Sequence, residues 1–155
     1  MKLKNFINKI VEVVLKDLTS FGSSLFYFIV IFFMLLTNEI FFSYFLFLNY
    51  IIITGIVIIV RKIYFKERPK KQKHSNILEK IDASSFPSIH AARITALFVS
   101  AILYLTINLK MLIFLLFVVI LVLYSRLHFK KHYFIDVLFG IILAIITTLL
   151  LHFIL

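Results

Sequence analysis

The sequence contains no cysteine, only three glycines and only two prolines. The lack of cysteine excludes disulfide frameworks, thiol catalysis and thiolate metal sites. The scarcity of glycine and proline excludes collagen-like repeats, and nineteen phenylalanines are incompatible with a disordered chain. Charged residues are also few, at 15% of 155 residues, whereas apolar residues make up 63%. This composition excludes a water-soluble globular enzyme and indicates a single integral membrane domain.

Long uncharged runs predict the membrane spans. Residues 18–38 and 40–60 are uncharged, and a helix of about 20 residues crosses the hydrocarbon core. Two shorter runs on either side of Lys110 indicate a helical hairpin that begins near His90, with Arg93 extending to the membrane interface. We therefore predict an all-α integral membrane protein with about five transmembrane helices. The predicted spans are about 22–37, 40–60, 90–108, 110–125 and 134–155.

The first twenty residues differ from the spans, because apolar residues such as Phe6 and Ile10 recur at helical spacing between charged ones. This pattern is typical of an amphipathic helix lying on the membrane surface. Residues 61–89 form the one long polar segment. The predicted organisation is thus one membrane domain over residues 1–155, with a surface helix at 1–20 and a polar loop at 61–89.

Polar residues suited to phosphate chemistry cluster near the ends of the predicted spans. Ser88 follows Pro87 just before a predicted helix, where it can cap free N–H groups that form an anion site. His132 and Asp136 are spaced by one helical turn. Ionisable residues at this depth are functional candidates, because burying a charge in a membrane is costly.

Three segments together resemble the signature of the type 2 phosphatidic acid phosphatase (PAP2) superfamily. They are Arg61-x6-Arg68-Pro69, Pro87-Ser88-Ile89-His90 and Ser125-Arg126-x5-His132-x3-Asp136. The resemblance implies a membrane lipid phosphatase whose active site lies among the polar loop, the start of the third span and the loop before the last span. Two positions depart from the family pattern: Arg61 stands where lysine is usual, and Ile89 where glycine is usual.

The residue types also suit hydrolysis of a phosphate ester, which needs cations around the transferring phosphoryl group and a nucleophile. The candidate phosphate-binding residues are Arg61, Lys62, Arg68, Ser88 and Arg126. We interpret His132 as the nucleophile that forms a phosphohistidine, and Asp136 as the acceptor of its other ring N–H. His90 is the candidate general acid for the leaving group. The reaction requires no metal or other cofactor.

The predicted substrate is a lipid monophosphate or diphosphate, of the phosphatidic acid, phosphatidylglycerol phosphate or polyprenyl diphosphate type. Three alternatives stay open. The chain could be a non-catalytic lipid-binding or assembly protein on the same scaffold, although the intact His90, His132 and Asp136 favour an enzyme. A haloperoxidase-type reaction at a vanadate site is disfavoured by the hydropathy. A row formed by His128, His132 and Asp136 could instead bind a metal. The sequence favours no particular oligomeric state.

The distribution of basic residues predicts the orientation in the cell membrane. All seventeen lysines and arginines except Lys110 fall on the face that carries the three motifs, which accounts for the net charge of +10 without nucleic-acid binding. By the positive-inside rule, the N-terminus and active site face the cytoplasm and the C-terminus faces outward. With single cysteines placed at Lys73 or after Leu155, we expect a membrane-impermeant maleimide to label intact cells only at the C-terminal position. Labelling at position 73 alone would contradict this orientation.

Overall fold

The computed structural model describes residues 2–72 and 74–155, with side chains from Phe6 onward; Lys73, the proposed labelling position, lies outside the described residues. The described residues form helices and no strands. A short 3₁₀ helix, Thr19–Gly22, joins the first two of seven α-helices. These are α1 (Lys2–Leu18), α2 (Ser24–Leu36), α3 (Ile40–Ile63), α4 (Ile77–Ala83), α5 (Ile89–Tyr104), α6 (Leu109–His128) and α7 (Phe134–Ile154).

Three helices, α3, α6 and α7, are long and apolar enough to cross a membrane. A fourth span arises only if Phe6–Gly22 and α2 are taken together, and this pair bends by 57° at its break. The 13 residues of α2 cover only about 20 Å alone. The apolar helix α5, with 16 residues, is shorter than a typical span. The structure therefore supports three to four spans, and the predicted count of about five is not confirmed.

Helix α5 lies at the centre of the bundle, where it packs against α7, α6 and α3. Its contact face carries small buried residues, including Ala92 and Ala96, and α7 contributes Ala144. Small side chains allow the helix backbones to approach closely, which is the usual basis of helix packing in membranes. The Asn49 side chain of α3 adds a hydrogen bond from Nδ2 to Thr148 Oγ1 of α7 at 2.9 Å.

Main-chain hydrogen bonds join the polar loop to the loop between α6 and α7. The Ser88 amide donates to Asp136 O at 2.9 Å, and the Lys70 amide donates to Lys130 O at 3.0 Å. Lys130 adopts a positive φ of 52°, which lets the chain turn sharply after α6. These contacts bring the end of α6, the start of α5 and the start of α7 to one end of the bundle.

Gly140 of α7 lies directly against the start of α5. A Cβ at this position would lie 2.6 Å from Ser88 O, whereas a Cβ at Gly55 of α3 would meet nothing within 4 Å. We therefore expect Gly140→Ala to destabilise the protein by about 1–3 kcal/mol through overpacking, and to lower the midpoint of thermal unfolding in detergent. Gly55→Ala is the matched control and should leave the midpoint unchanged or raise it. Equal midpoints for the two variants would contradict this close packing.

Candidate active site

His132 lies in the loop between α6 and α7, and its ring is oriented by the polar loop. The side chain is 2% exposed, and Nδ1 lies 2.6 Å from Ser85 O. A main-chain carbonyl only accepts hydrogen bonds, so Nδ1 carries the proton and Nε2 keeps a free lone pair. The ring therefore has the tautomer that a nucleophile acting through Nε2 requires.

The environment of His132 also keeps its ring neutral. Burial lowers the pKa of His132 well below the ordinary histidine value, and the positive charge of Arg126 lowers it further. Arg61 and Arg68 act in the same direction, while the hydrogen bond to Ser85 partly opposes them. The neutral ring is thus the form present at physiological pH.

Asp136 does not hold the His132 ring, contrary to the prediction from sequence. Its Oδ1 lies 2.6 Å from Lys66 Nζ, and its Oδ2 accepts from the Tyr133 amide at 2.8 Å. The prediction was wrong because it assumed helical spacing between His132 and Asp136, whereas α7 begins only at Phe134. The fully buried Asp136 instead caps the first turn of α7 and forms an ion pair with Lys66, a partly exposed residue that the motifs had not indicated.

Arg61 holds the main chain of the second motif in place. Its Nε and Nη2 both donate to Pro87 O, at 3.3 and 2.8 Å, and its Nη1 donates to Ile81 O at 3.3 Å. Only a guanidinium can make this forked arrangement, and this explains why arginine stands at this position. Lys62, the other cation considered there, is exposed, and the structure does not bring it into the cluster.

Arg68 and Arg126 are buried beside His132, at 9% and 6% exposed. Arg68 donates from Nη1 to Gln72 Oε1 at 2.5 Å and from Nη2 to Asp82 O. Burial lowers the pKa of Arg68, and Asp82 partly offsets that effect. The buried Nε atoms of Arg68 and Arg126 have no partner among the described residues. Both guanidiniums therefore retain donors for a ligand.

Ser88 and His90 lie at the start of α5, as the sequence predicts. Ser88 is fully buried and caps the helix, with Oγ accepting from the Ala91 amide at 3.5 Å. The buried Nδ1 atom of His90 has no partner among the residues that the structure describes. Gly22 lies against this ring, where a Cβ would come within 2.9 Å of His90 Cβ. The close approach of the 3₁₀ helix thus limits where the His90 ring can lie.

Arg93 does not extend to the membrane interface, so that prediction was wrong. The side chain is 6% exposed and turns inward to α3, where Nη2 donates to Tyr50 OH and Thr54 Oγ1, both at 3.3 Å. The sequence prediction rested on the uncharged residues around Arg93. It could not show that hydroxyl groups of a neighbouring helix accept hydrogen bonds from this side chain.

None of the four buried guanidiniums forms an ion pair with a described acid. Over residues 6–72 and 74–155, whose side chains the structure describes, ion pairs within 4 Å join only Lys66 to Asp136 and Lys71 to Glu67. The four are Arg61, Arg68, Arg93 and Arg126. The charge of Asp82 acts on three of them without a direct ion pair. Buried cations that lack paired counter-ions are unfavourable, so the arrangement favours an anionic ligand.

The alternative metal row is not assembled. His128 packs against the rings of Tyr124 and Phe129, at 5.8 and 5.2 Å between centroids, while Asp136 is paired with Lys66. In the part of the chain that the structure describes, no group of three His, Cys, Asp or Glu residues is placed to hold a metal ion.

The chain is similar to known proteins in its sequence pattern and in its fold. The family model of the PAP2 superfamily matches residues 43–155, which contain all three motifs. The fold is similar to the crystal structure of LpxE from Aquifex aeolicus, with a TM-score of 0.75 and 20% sequence identity. That match covers 92% of this chain and 85% of the LpxE chain. No curated protein sequence matches the chain significantly.

The environment of His132 predicts an unusual titration. Because its pKa is lowered, the ring should remain neutral, with the proton on Nδ1, as the pH falls below the ordinary value of about 6.5. Histidine ¹⁵N chemical shifts of the protein in detergent would measure this, with the signal assigned by its loss in His132→Ala. Arg126→Gln should raise the pKa, since it removes a neighbouring positive charge. A ring that gains its second proton near pH 6.5 would contradict the described environment.

Proposed function

We propose that this chain, which belongs to the PAP2 superfamily, hydrolyses a phosphate or diphosphate ester of a membrane lipid. The observation that carries the proposal is the group of buried guanidiniums without ion pairs around His132, a neutral histidine with Nε2 unprotonated. Cations that surround a nucleophile stabilise the charge on a transferring phosphoryl group. The same arrangement would have no purpose in a non-catalytic lipid-binding protein, which needs no oriented nucleophile.

In the proposed mechanism, His132 Nε2 attacks phosphorus, so that an N–P bond forms and the bond to the leaving oxygen breaks. His90, whose buried Nδ1 lacks a partner, gives the leaving oxygen a proton from its ring. Water then attacks the phosphohistidine, and His90 takes its proton. The N–P bond breaks, and inorganic phosphate and neutral His132 are restored.

The phosphate-binding groups have different tasks in this mechanism. Arg68 and Arg126 bind the equatorial phosphate oxygens with their free donors, assisted by Arg61. Ser88 supports the site as the cap of α5. Asp136 is a positioning residue, which fixes the start of α7 through Lys66 and the Tyr133 amide.

An apolar cavity supports a lipid substrate rather than a water-soluble one. The cavity has a volume of about 540 Å³ and lies between α2, α5 and α6. Phe21 and Ile94, at the end nearest His90, are among its lining residues, and Met34 and Leu105 line it further along. Phe21 directly precedes the glycine that contacts His90, so this end of the cavity lies near the start of α5. We propose that it holds the hydrocarbon chain of the substrate, with the active site facing the cytoplasm.

The phosphohistidine intermediate provides the test. A lipid phosphate labelled with ³²P at its terminal phosphate should transfer an acid-labile label to the wild-type protein. His132→Ala should lose the label and reduce phosphate release at least a thousandfold, because the nucleophile is absent. His128→Ala is a matched control, since His128 lies on the same segment but packs against Tyr124 and Phe129.

The control variant should keep both the label and turnover. Thermal unfolding in detergent would establish that each variant is folded. Turnover by a folded His132→Ala protein at the wild-type rate would refute the mechanism, and an unlabelled, inactive wild-type protein across lipid mono- and diphosphates would refute the proposed function.

A further inference from the structure

The 3₁₀ helix Thr19–Gly22 lies at the catalytic end of the bundle, where it packs against α5 and α6. It is outside residues 43–155, which match the family model, and outside the three motifs. Its contacts nevertheless involve the general acid His90 and the end of α6 that carries Arg126. The segment therefore belongs to the surroundings of the site, and the motifs do not account for it.

Gly22 is buried in direct contact with His90. A Cβ at position 22 would lie 2.9 Å from His90 Cβ, 3.0 Å from its carbonyl oxygen and 3.1 Å from its Cδ2. Carbon atoms in contact are usually about 3.5–4.0 Å apart, so no side chain fits between the two residues. The main chain of the 3₁₀ helix thus packs against one edge of the His90 side chain.

This contact has a particular effect because a hydrogen bond does not hold the Nδ1 atom of His90. The atom is buried and has no partner among the described residues. A histidine that transfers protons is usually oriented by a hydrogen bond at its second ring nitrogen. Cδ2 and Nδ1 are on opposite edges of the ring, so contact at Cδ2 leaves Nδ1 facing away from Gly22. Packing against Gly22 therefore orients this ring.

Two contacts in turn hold the 3₁₀ helix against α6. Thr19 Oγ1 and Ser125 Oγ are 2.6 Å apart, and Ser125 Oγ donates to Val122 O, also at 2.6 Å. A serine hydroxyl has a single proton, so Thr19 is the donor to Ser125. Phe21 packs against the apolar cluster that contains Val122. The 3₁₀ helix is thus attached to α6 at the residue that directly precedes Arg126.

We propose that Gly22 is a positioning residue for the general acid His90, and that Thr19 holds the 3₁₀ helix where Gly22 contacts this ring. The inference rests on the proposed function, in which His90 gives a proton to the leaving oxygen. This transfer requires the ring to lie within hydrogen-bonding distance of that oxygen. A side chain at position 22 would displace the ring, and a displacement of about 1 Å can slow a reaction about a hundredfold.

Such a role makes the effect depend on the leaving group. As His132 Nε2 bonds to phosphorus, the bond to the leaving oxygen breaks, and its electrons remain on that oxygen. The oxygen of a lipid alcohol needs the proton of His90 at this point, whereas 4-nitrophenolate is stable without one. A displaced general acid therefore slows the release of a lipid alcohol selectively. A general disturbance of the phosphate site would slow both reactions.

Phosphatidic acid and 4-nitrophenyl phosphate, compared in detergent, test the proposal. The measurement is kcat/KM, because it reports the steps up to the departure of the leaving group. We expect Gly22→Ala to lower this value about ten- to a hundredfold for phosphatidic acid and less than about threefold for 4-nitrophenyl phosphate. Gly55→Ala is the matched control and should change neither value, since a Cβ there would meet nothing within 4 Å.

Thr19 provides a second pair of variants. Thr19→Val removes the donor to Ser125 and should give a smaller loss with the same dependence on the leaving group, whereas Thr19→Ser should retain the wild-type values. In a His90→Gln background, Gly22→Ala should cause little further loss with phosphatidic acid, because the ring through which it acts is absent. Thermal unfolding in detergent would establish that each variant is folded. If Gly22→Ala does not fold, an equal effect of Thr19→Val on both esters overturns the proposal.

Equal losses for the two esters in Gly22→Ala would overturn the proposal and indicate a structural role, as would an unchanged value for phosphatidic acid. NMR of ¹³C-labelled histidine rings tests the contact independently of turnover, with the His90 signals assigned by their loss in His90→Gln. These signals should shift in Gly22→Ala but not in Gly55→Ala, and unshifted signals would overturn the proposal. If the wild type hydrolyses neither ester, the proposed function fails, and the selective shift still supports positioning of the ring by Gly22.

Discussion

Buried guanidinium groups at a membrane edge need hydrogen-bond acceptors or an anion, because the hydrocarbon supplies neither. This requirement governs the catalytic end of the bundle. Arg61 meets it with the carbonyls of Pro87 and Ile81, and so attaches the end of α3 to the segment before α5. Ser88 continues the connection through its amide to Asp136 O at the start of α7. The carbonyls that satisfy a buried charge thus also define where the second motif lies.

The other buried guanidiniums have fewer hydrogen-bond partners than Arg61. The number of partners therefore distinguishes a structural arginine from one that can bind a ligand. Arg61 directs three of its nitrogen atoms at main-chain oxygens, whereas Arg126 keeps a buried Nε without a partner among the described residues. The Lys66–Asp136 pair is closed on itself and adds no net charge. The unsatisfied donors of Arg68 and Arg126 therefore remain available for the phosphoryl group that the proposed mechanism places at His132. The hydrogen bonding of such a site is completed only when its anion binds.

The sequence predicted which residues would gather at the site but not how each would be bonded. Motif order and hydrophobic runs were sufficient to place Arg68, Ser88, His90, Arg126 and His132 at one end of an all-α bundle. The pairing of His132 with Asp136 failed because the one-turn rule applies only within a helix, and His132 precedes the start of α7. Its true partner, Ser85 O, is a main-chain atom, which side-chain identity cannot indicate. The span count is not confirmed, because helix length depends on where each helix ends, and uncharged residues continue beyond the ends of α2 and α5.

The arginine at the first motif position illustrates how a departure from a family pattern can be read from contacts. A lysine ammonium is a point charge, and it could not donate to Pro87 O from two nitrogen atoms while a third reaches Ile81 O. The fork therefore binds the polar loop more firmly than lysine would, and it gives two main-chain carbonyls a charged donor. That backbone leads directly into Ile89, whose side chain stands where the family usually has glycine. A firmly held loop allows a residue with a Cβ at the start of α5, because the arginine rather than glycine flexibility then fixes the conformation of this segment.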